Sequence, residues 1–139
     1  MKRVYEDFVK KYDMNNKARL GKDNHSKRVM NISQILASKL GLSEREVYLN
    51  SVIGLFHDIA RFKQETEYHT FNDLISFDHG DEGYNIYLKQ IASKLDLSLK
   101  ENKIVSKAIK YHNKLKIGKV TKEEELYAKI IRDADKLDI

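Results

Sequence analysis

The stretch Val47-Tyr48-Leu49-Asn50-Ser51-Val52-Ile53-Gly54-Leu55-Phe56-His57-Asp58-Ile59-Ala60 carries no charged side chain until Asp58. Ser43-Glu44-Arg45-Glu46 stands just ahead of it as a capping box, so the run reads as a helix ending near His57-Asp58-Ile59. A helix this apolar is buried. An ionised carboxylate at the end of a buried helix is costly unless a cation or a full set of donors meets it. Imidazole and carboxylate together suit a divalent metal, so His57-Asp58 reads as part of a metal site whose other ligands come from elsewhere in the chain.

Spacing says where from. Val29, Ile32 and Leu36 follow His25 at helical intervals, which puts His25 on an inward-facing stripe. Ile104, Val105, Ala108 and Ile109 lead to His112 in the same way. In the last helix Tyr127, Ile131 and Asp135 recur at i, i+4 and i+8, so Asp135 lies on the apolar face. Asp133 falls on the line of Lys129 and within reach of Lys136, and reads as solvated or paired. His79 is the fourth histidine of the set. His69 sits in an irregular segment and reads as exposed.

The remaining sequence organises around these helices. Lys2 to Tyr12 is amphipathic and packs as an outer helix; Asn15 to Lys22 is a polar connection. The His25 helix runs to about Leu40 and stops at Gly41. Phe62 to Phe77 reads as a loop with a short helix placed over the site. A helix from Gly80 or Asp81 to Leu95 buries Tyr84, Tyr87, Leu88, Ile91 and Leu95. Ser98-Leu99-Lys100-Glu101 and Thr121-Lys122-Glu123-Glu124 are further capping boxes, opening the His112 helix and the last helix. Proline is absent and no strand-like alternation occurs, so the fold class is an all-α helical bundle, one domain over residues 1–139.

Composition narrows the chemistry. A hydrophobic share of 41% and a charged share of 34% suit a soluble helical protein. No apolar run approaches the ~20 residues of a membrane span, and no secretory leader is evident. The absence of cysteine excludes disulfides and thiolate metal sites and fits a cytoplasmic setting. The metal must then be held by nitrogen and oxygen, as manganese, iron, cobalt, nickel, magnesium or zinc can be. The net charge of +5 is spread over scattered lysines. It suits an anionic substrate, while nucleic acid is disfavoured because no groove-reading motif accompanies it.

The order His25, His57-Asp58, Asp135 resembles the signature of the HD superfamily of metal-dependent phosphohydrolases. His79 and His112 resemble the additional ligands of the subset that holds two ions. The strings Leu55-Phe56-His57-Asp58-Ile59-Ala60-Arg61, Asp78-His79-Gly80-Asp81-Glu82-Gly83, Ile109-Lys110-Tyr111-His112-Asn113 and Ala134-Asp135-Lys136-Leu137 fit as well, so the likeness runs from about residue 25 to 138. It implies a bundle of the HD-domain type binding one or two divalent ions and cleaving a phosphoester, a nucleotide above all, with a metal-activated water.

By that resemblance His25, His57, Asp58 and Asp135 hold the first ion. His79 and His112 hold a second with Asp58 bridging, or meet the substrate phosphate. Asp58 and His79 are the catalytic groups, and Arg61 and Lys136 grip phosphate. Gly80 and Gly83 either admit a ligand close to the backbone or simply open a helix. Two other activities stay open: a di-iron oxygenase of the same fold, and a nucleotide-binding regulatory module. A homo-oligomer stays open too. The chain stops soon after Asp135, where the family usually continues in helix. A natural short form and a truncated product are both compatible with that, and Asp135 is expected to be less firmly held.

Overall fold

The computed structural model describes residues 1–138. Its elements are α1 (Lys2–Val9), α2 (Lys17–Lys39), α3 (Glu44–Phe56), α4 (Ala60–Tyr68), α5 (His79–Ile86), α6 (Leu99–Tyr111) and α7 (Lys122–Leu137). A π-helical turn, Tyr87–Ile91, and a 3-10 turn, Ala92–Lys94, join α5 to α6. Among the described residues there is no strand, as expected of an all-α bundle. No helix among the described residues is long and apolar enough to cross a membrane.

The helix ends follow their local chemistry. Ser43 Oγ accepts from Glu46 N at 3.2 Å while the Glu46 carboxylate accepts from Ser43 N at 2.8 Å. Ser98 with Glu101, and Thr121 with Glu124, repeat this reciprocal pair at the starts of α6 and α7. Each cap stabilises its helix by about 1 kcal/mol. At the end of α2, Gly41 takes a left-handed φ of 77°. Its N–H reaches Ser38 O at 3.0 Å and that of Leu42 reaches Ala37 O at 3.2 Å, which satisfies the last free carbonyls.

α3 is the central element. α2 lies along it, and α6 and α7 close its other sides. Val52, Ile53 and Phe56 are wholly buried, each contributing about 1.5–3 kcal/mol by leaving water. Gly54 lets α2 and α3 approach closely, since a Cβ there would lie 2.8 Å from both Met30 Cα and Val29 O. α1 is short but belongs to the core. Tyr5 sets its ring edge-on to Phe56 with centroids 5.7 Å apart and donates its hydroxyl to Asp23 Oδ1 at 2.8 Å.

Three boundaries differ from the sequence reading, while the loop with a short helix expected over Phe62 to Phe77 is present. α1 stops at Val9, before Tyr12. α2 begins at Lys17 because Asn16 caps it, its side chain accepting from Arg19 N at 3.0 Å, so Asn15 to Lys22 is mostly helix rather than connection. The segment from Phe62 to Phe77 is helical as far as Tyr68, and irregular chain begins at His69, which is exposed with a left-handed φ of 54°. The helix expected from Gly80 or Asp81 to Leu95 is broken by the π-helical turn. That turn adds a residue to one circuit and rotates the helical face, so Tyr87 and Ile91 are buried along with Ile86 while Leu88 faces outward.

Candidate metal centre

The candidate ligands sit mostly at helix ends, which the packing draws together. His25 lies within α2, His57 and His112 are the C-terminal caps of α3 and α6, His79 is the first residue of α5, and Asp135 lies in the last turn of α7. Two C-terminal helix ends, negative by their dipoles, point at one place and favour positive charge there. Asp78 caps α5 by accepting from Gly80 N and Asp81 N, which fixes His79 at the rim of the cluster.

Asp58 is the centre of the cluster, and its two oxygens face opposite pairs of imidazoles. Oδ2 lies 3.6 Å from both His25 Nε2 and His57 Nε2. Oδ1 lies 3.4 Å from His79 Nε2 and 3.2 Å from His112 Nε2. Asp135 Oδ1 completes the first group, 2.9 Å from His25 Nε2 and 3.4 Å from His57 Nε2. All six residues singled out as ligand candidates are therefore together. Asp135 is the most open, its side chain about a third exposed at 31%.

Every one of the four rings is anchored on its other nitrogen. His57 Nδ1 donates to Gly54 O at 2.8 Å and His112 Nδ1 to Ile109 O at 2.6 Å, the same three-residue return at two helix ends. His25 Nδ1 donates to Asp138 Oδ2 and His79 Nδ1 to Asp73 Oδ2, both at 2.7 Å. In the neutral tautomer this leaves all four Nε2 lone pairs aimed at Asp58. His57 Nε2 is buried without a hydrogen-bond partner. His79 Nε2 and His112 Nε2 stand 3.1 Å apart, two acceptors that need positive charge between them.

Imidazole nitrogens gathered on carboxylate oxygens are the donor set a divalent cation takes up, and two groups, His25-His57-Asp135 and His57-Asp58-His112, have the spacing to hold a metal ion. Electrostatics agree. Burial opposes charge on Asp58, but His57, His112 and Lys22 outweigh it and hold the carboxyl well below the ordinary carboxylate range. Burial likewise opposes charge on Asp135, and His25 and His57 bring its carboxyl down. Burial alone would lower His57, yet Asp58 and Asp135 raise it, so these carboxylates call for a positive charge at that point. His79 is pushed down to about 4, chiefly by burial.

The cluster opens into a cleft of about 520 Å³ whose cations are Lys17, Lys22, Arg28 and Arg61. Lys136, expected as a phosphate contact, is exposed and does not line this cleft. It follows Asp135 in a helix, so turning Asp135 inward turns Lys136 away. Arg61 lines the cleft, but its Nη1 already donates to Gln64 Oε1, Phe71 O and Asp73 Oδ1. Gly80 and Gly83 face α6 rather than a ligand: a Cβ on Gly80 would strike Lys110 O and Asn113, and one on Gly83 would press on Ile109.

The sequence reading missed Asp138, Asp73 and Lys22. Asp138 follows Asp135 at i+3 and Lys22 precedes His25 at i−3, so spacing alone carried both signals; Asp73, in irregular chain, left none. Asp138 also accepts from Arg28 Nε at 2.7 Å, which pins the carboxylate that orients His25. Asp138→Ala is expected to weaken manganese binding by about 10- to 100-fold with the fold intact, and Asp138→Asn, which keeps an acceptor, by less. Calorimetric titration measures this. An unchanged affinity would show that His25 needs no such anchor.

Comparison with known proteins gives one match: the family model described as HD domain covers residues 23–139. No curated protein and no solved structure matches the chain.

Proposed function

The chain belongs to the HD domain family, and from that membership we propose that it is a metal-dependent phosphohydrolase cleaving a phosphomonoester or phosphodiester, with nucleotides as the first substrate class to test. The observation that carries this reading is the convergence of four Nε2 atoms on the two oxygens of Asp58. His25, His57, Asp58 and Asp135 would hold one divalent ion; His79, His112 and the far oxygen of Asp58 would hold a second. A bound divalent cation supplies a coordinated water of lowered pKa and polarises a phosphoryl oxygen. We read α1, outside the matched residues, as part of the same domain because Tyr5 packs on Phe56.

The chain's own groups supply the rest. His79 keeps its proton on Nδ1, facing Asp73, so it presents a lone pair rather than an acid to the centre. That favours a ligand role over proton donation to a leaving group. Asp58 and Asp135 provide the negative charge that retains the cation. Arg61, with Nε 4.0 Å from Asp58 Oδ1, fixes a positive charge beside the position of a non-bridging oxygen. Its bonds to Phe71 O and Asp73 Oδ1 also hold the segment that places Phe71 at the cleft.

Elemental analysis of the purified protein, then nucleoside mono-, di- and cyclic phosphates with manganese, cobalt, nickel or magnesium, tests the proposal. Hydrolysis with any of them supports it. Iron in the protein together with oxygen uptake and no hydrolysis would move the reading to a di-iron oxygenase; nucleotide binding without turnover would move it to a regulatory module. Within α7, Asp135→Ala is expected to cost nearly all metal binding at the first site. Asp133→Ala, at an exposed position, leaves binding unchanged. The reverse ranking in a metal titration would mean that Asp135 is not a ligand.

A further inference from the structure

We infer that Lys22 is a substrate-binding residue that exchanges partners, pairing with Asp58 in the metal-free protein and with a phosphate oxygen once the cation is in place. This deepens the phosphohydrolase reading and rests on it. Lys22 Nζ lies 3.3 Å from Asp58 Oδ2, the oxygen that also faces His25 and His57. The ammonium and a cation at the first site would thus share one oxygen, and like charges drive the lysine off. Its side chain is 25% exposed and lines the cleft, so the way out is open.

The other cations of the cleft are placed differently. Arg28 is held by Asp138, and Arg61 by Gln64, Phe71 and Asp73. Lys17 is exposed in the first turn of α2. Among the described residues Lys22 has a single hydrogen-bond acceptor, Asp58, which leaves two of its three donors. The ring of Phe71 stands 5.3 Å from Lys22 Nζ and 5.3 Å from the Arg61 guanidinium carbon, so both cations pack against one aromatic ring at the cleft. A lysine swinging from Asp58 along that ring stays beside the centre, where a dianionic phosphate group would lie. Arg61 supplies the fixed charge and Lys22 the movable one.

Two titrations of the full chain test this, on wild type, Lys22→Met and Lys22→Arg. In the first, manganese is added to metal-free protein. Lys22→Met is expected to bind it about three- to tenfold more tightly, because the competing ammonium is gone. In the second, inorganic phosphate is added to manganese-loaded protein. Lys22→Met is expected to bind it about tenfold or more weakly, while Lys22→Arg stays within about threefold of wild type. Thermal unfolding checks that the variants fold; Lys22→Gln replaces Lys22→Met if the methionine disturbs the cleft. Weaker manganese binding in Lys22→Met, or unchanged phosphate binding, overturns the assignment. If wild type binds manganese and phosphate and the variant matches it, the Lys22 assignment alone falls. If wild type takes up manganese but no phosphate, the phosphohydrolase reading falls with it.

Discussion

Asp58→Ala is expected to empty both imidazole pairs of metal at once. The Asp58 carboxylate serves both groups: one oxygen faces His25 and His57, the other His79 and His112. Loss of His112 would weaken one group and spare the other. Turnover should fall by about three orders of magnitude or more, the equivalent of the several kcal/mol that a metal centre contributes to a transition state. Metal-free Asp58→Ala should also be less stable by about 3 kcal/mol, since Lys22 and the positive charge that Asp58 favours on buried His57 lose their counter-charge. Elemental analysis, turnover and denaturant unfolding measure the three effects. A variant that keeps its full metal content would show that Asp58 does not join the two groups.

Gly54→Ala is the second large effect, and it acts through backbone. The new Cβ would lie 2.8 Å from Met30 Cα, Val29 O and Ser33 Oγ, and the first two cannot turn aside. α2 and α3 must separate by several tenths of an ångström. Overpacking of this kind costs about 1–3 kcal/mol or more, against which the better helix propensity of alanine returns about 1 kcal/mol. The melting temperature should fall by several degrees, roughly 3–10 °C for a domain of this size. Metal affinity should fall as well, because His25 rides on α2 and His57 hangs from the Gly54 carbonyl. Gly21→Ala is the matched control. Nothing lies within 4 Å of a Cβ there, and the change should stabilise α2 by about 0.5–1 kcal/mol. Equal melting points for the two variants would show that the close approach at Gly54 is not a constraint.

Much of this arrangement was legible in the sequence because it rests on period and capping. Three serine or threonine caps with glutamate three residues on, Gly41 at a helix end, and apolar stripes leading to His25, His112 and Asp135 each state a local rule that the fold obeys. Five of the six ligand candidates were recognisable because polar groups stand out against such apolar stretches; His79 has none, and its part rested on the family resemblance. The illegible part depends on contacts between elements. The tight packing of Gly54, Gly80 and Gly83 has no trace in a single sequence, since a glycine marks a turn as readily as a helix crossing. The π-helical turn at Tyr87–Ile91 violates the period that the reading relied on. Asp73 acts from irregular chain, where no periodicity assigns it a face. Lys136 was misplaced because adjacency to Asp135 along the chain is not adjacency in a helix.

The anchoring of the four rings has a bearing on how the molecule assembles. His57 and His112 are oriented by carbonyls three residues back, bonds available as soon as α3 and α6 have formed. His25 is oriented by Asp138, across 113 positions of chain, and that pairing must wait until the whole topology has closed. His79 is oriented by Asp73, six residues away, so three of the four rings take their anchors locally and early, and His25 alone of the four takes its anchor globally and late. An unfolded chain offers a cation only scattered imidazoles, so the free energy of metal binding is added almost entirely to the native state. Metal uptake and completion of the fold then form a single linked equilibrium, whose last contact ties α2 to the residue just after α7.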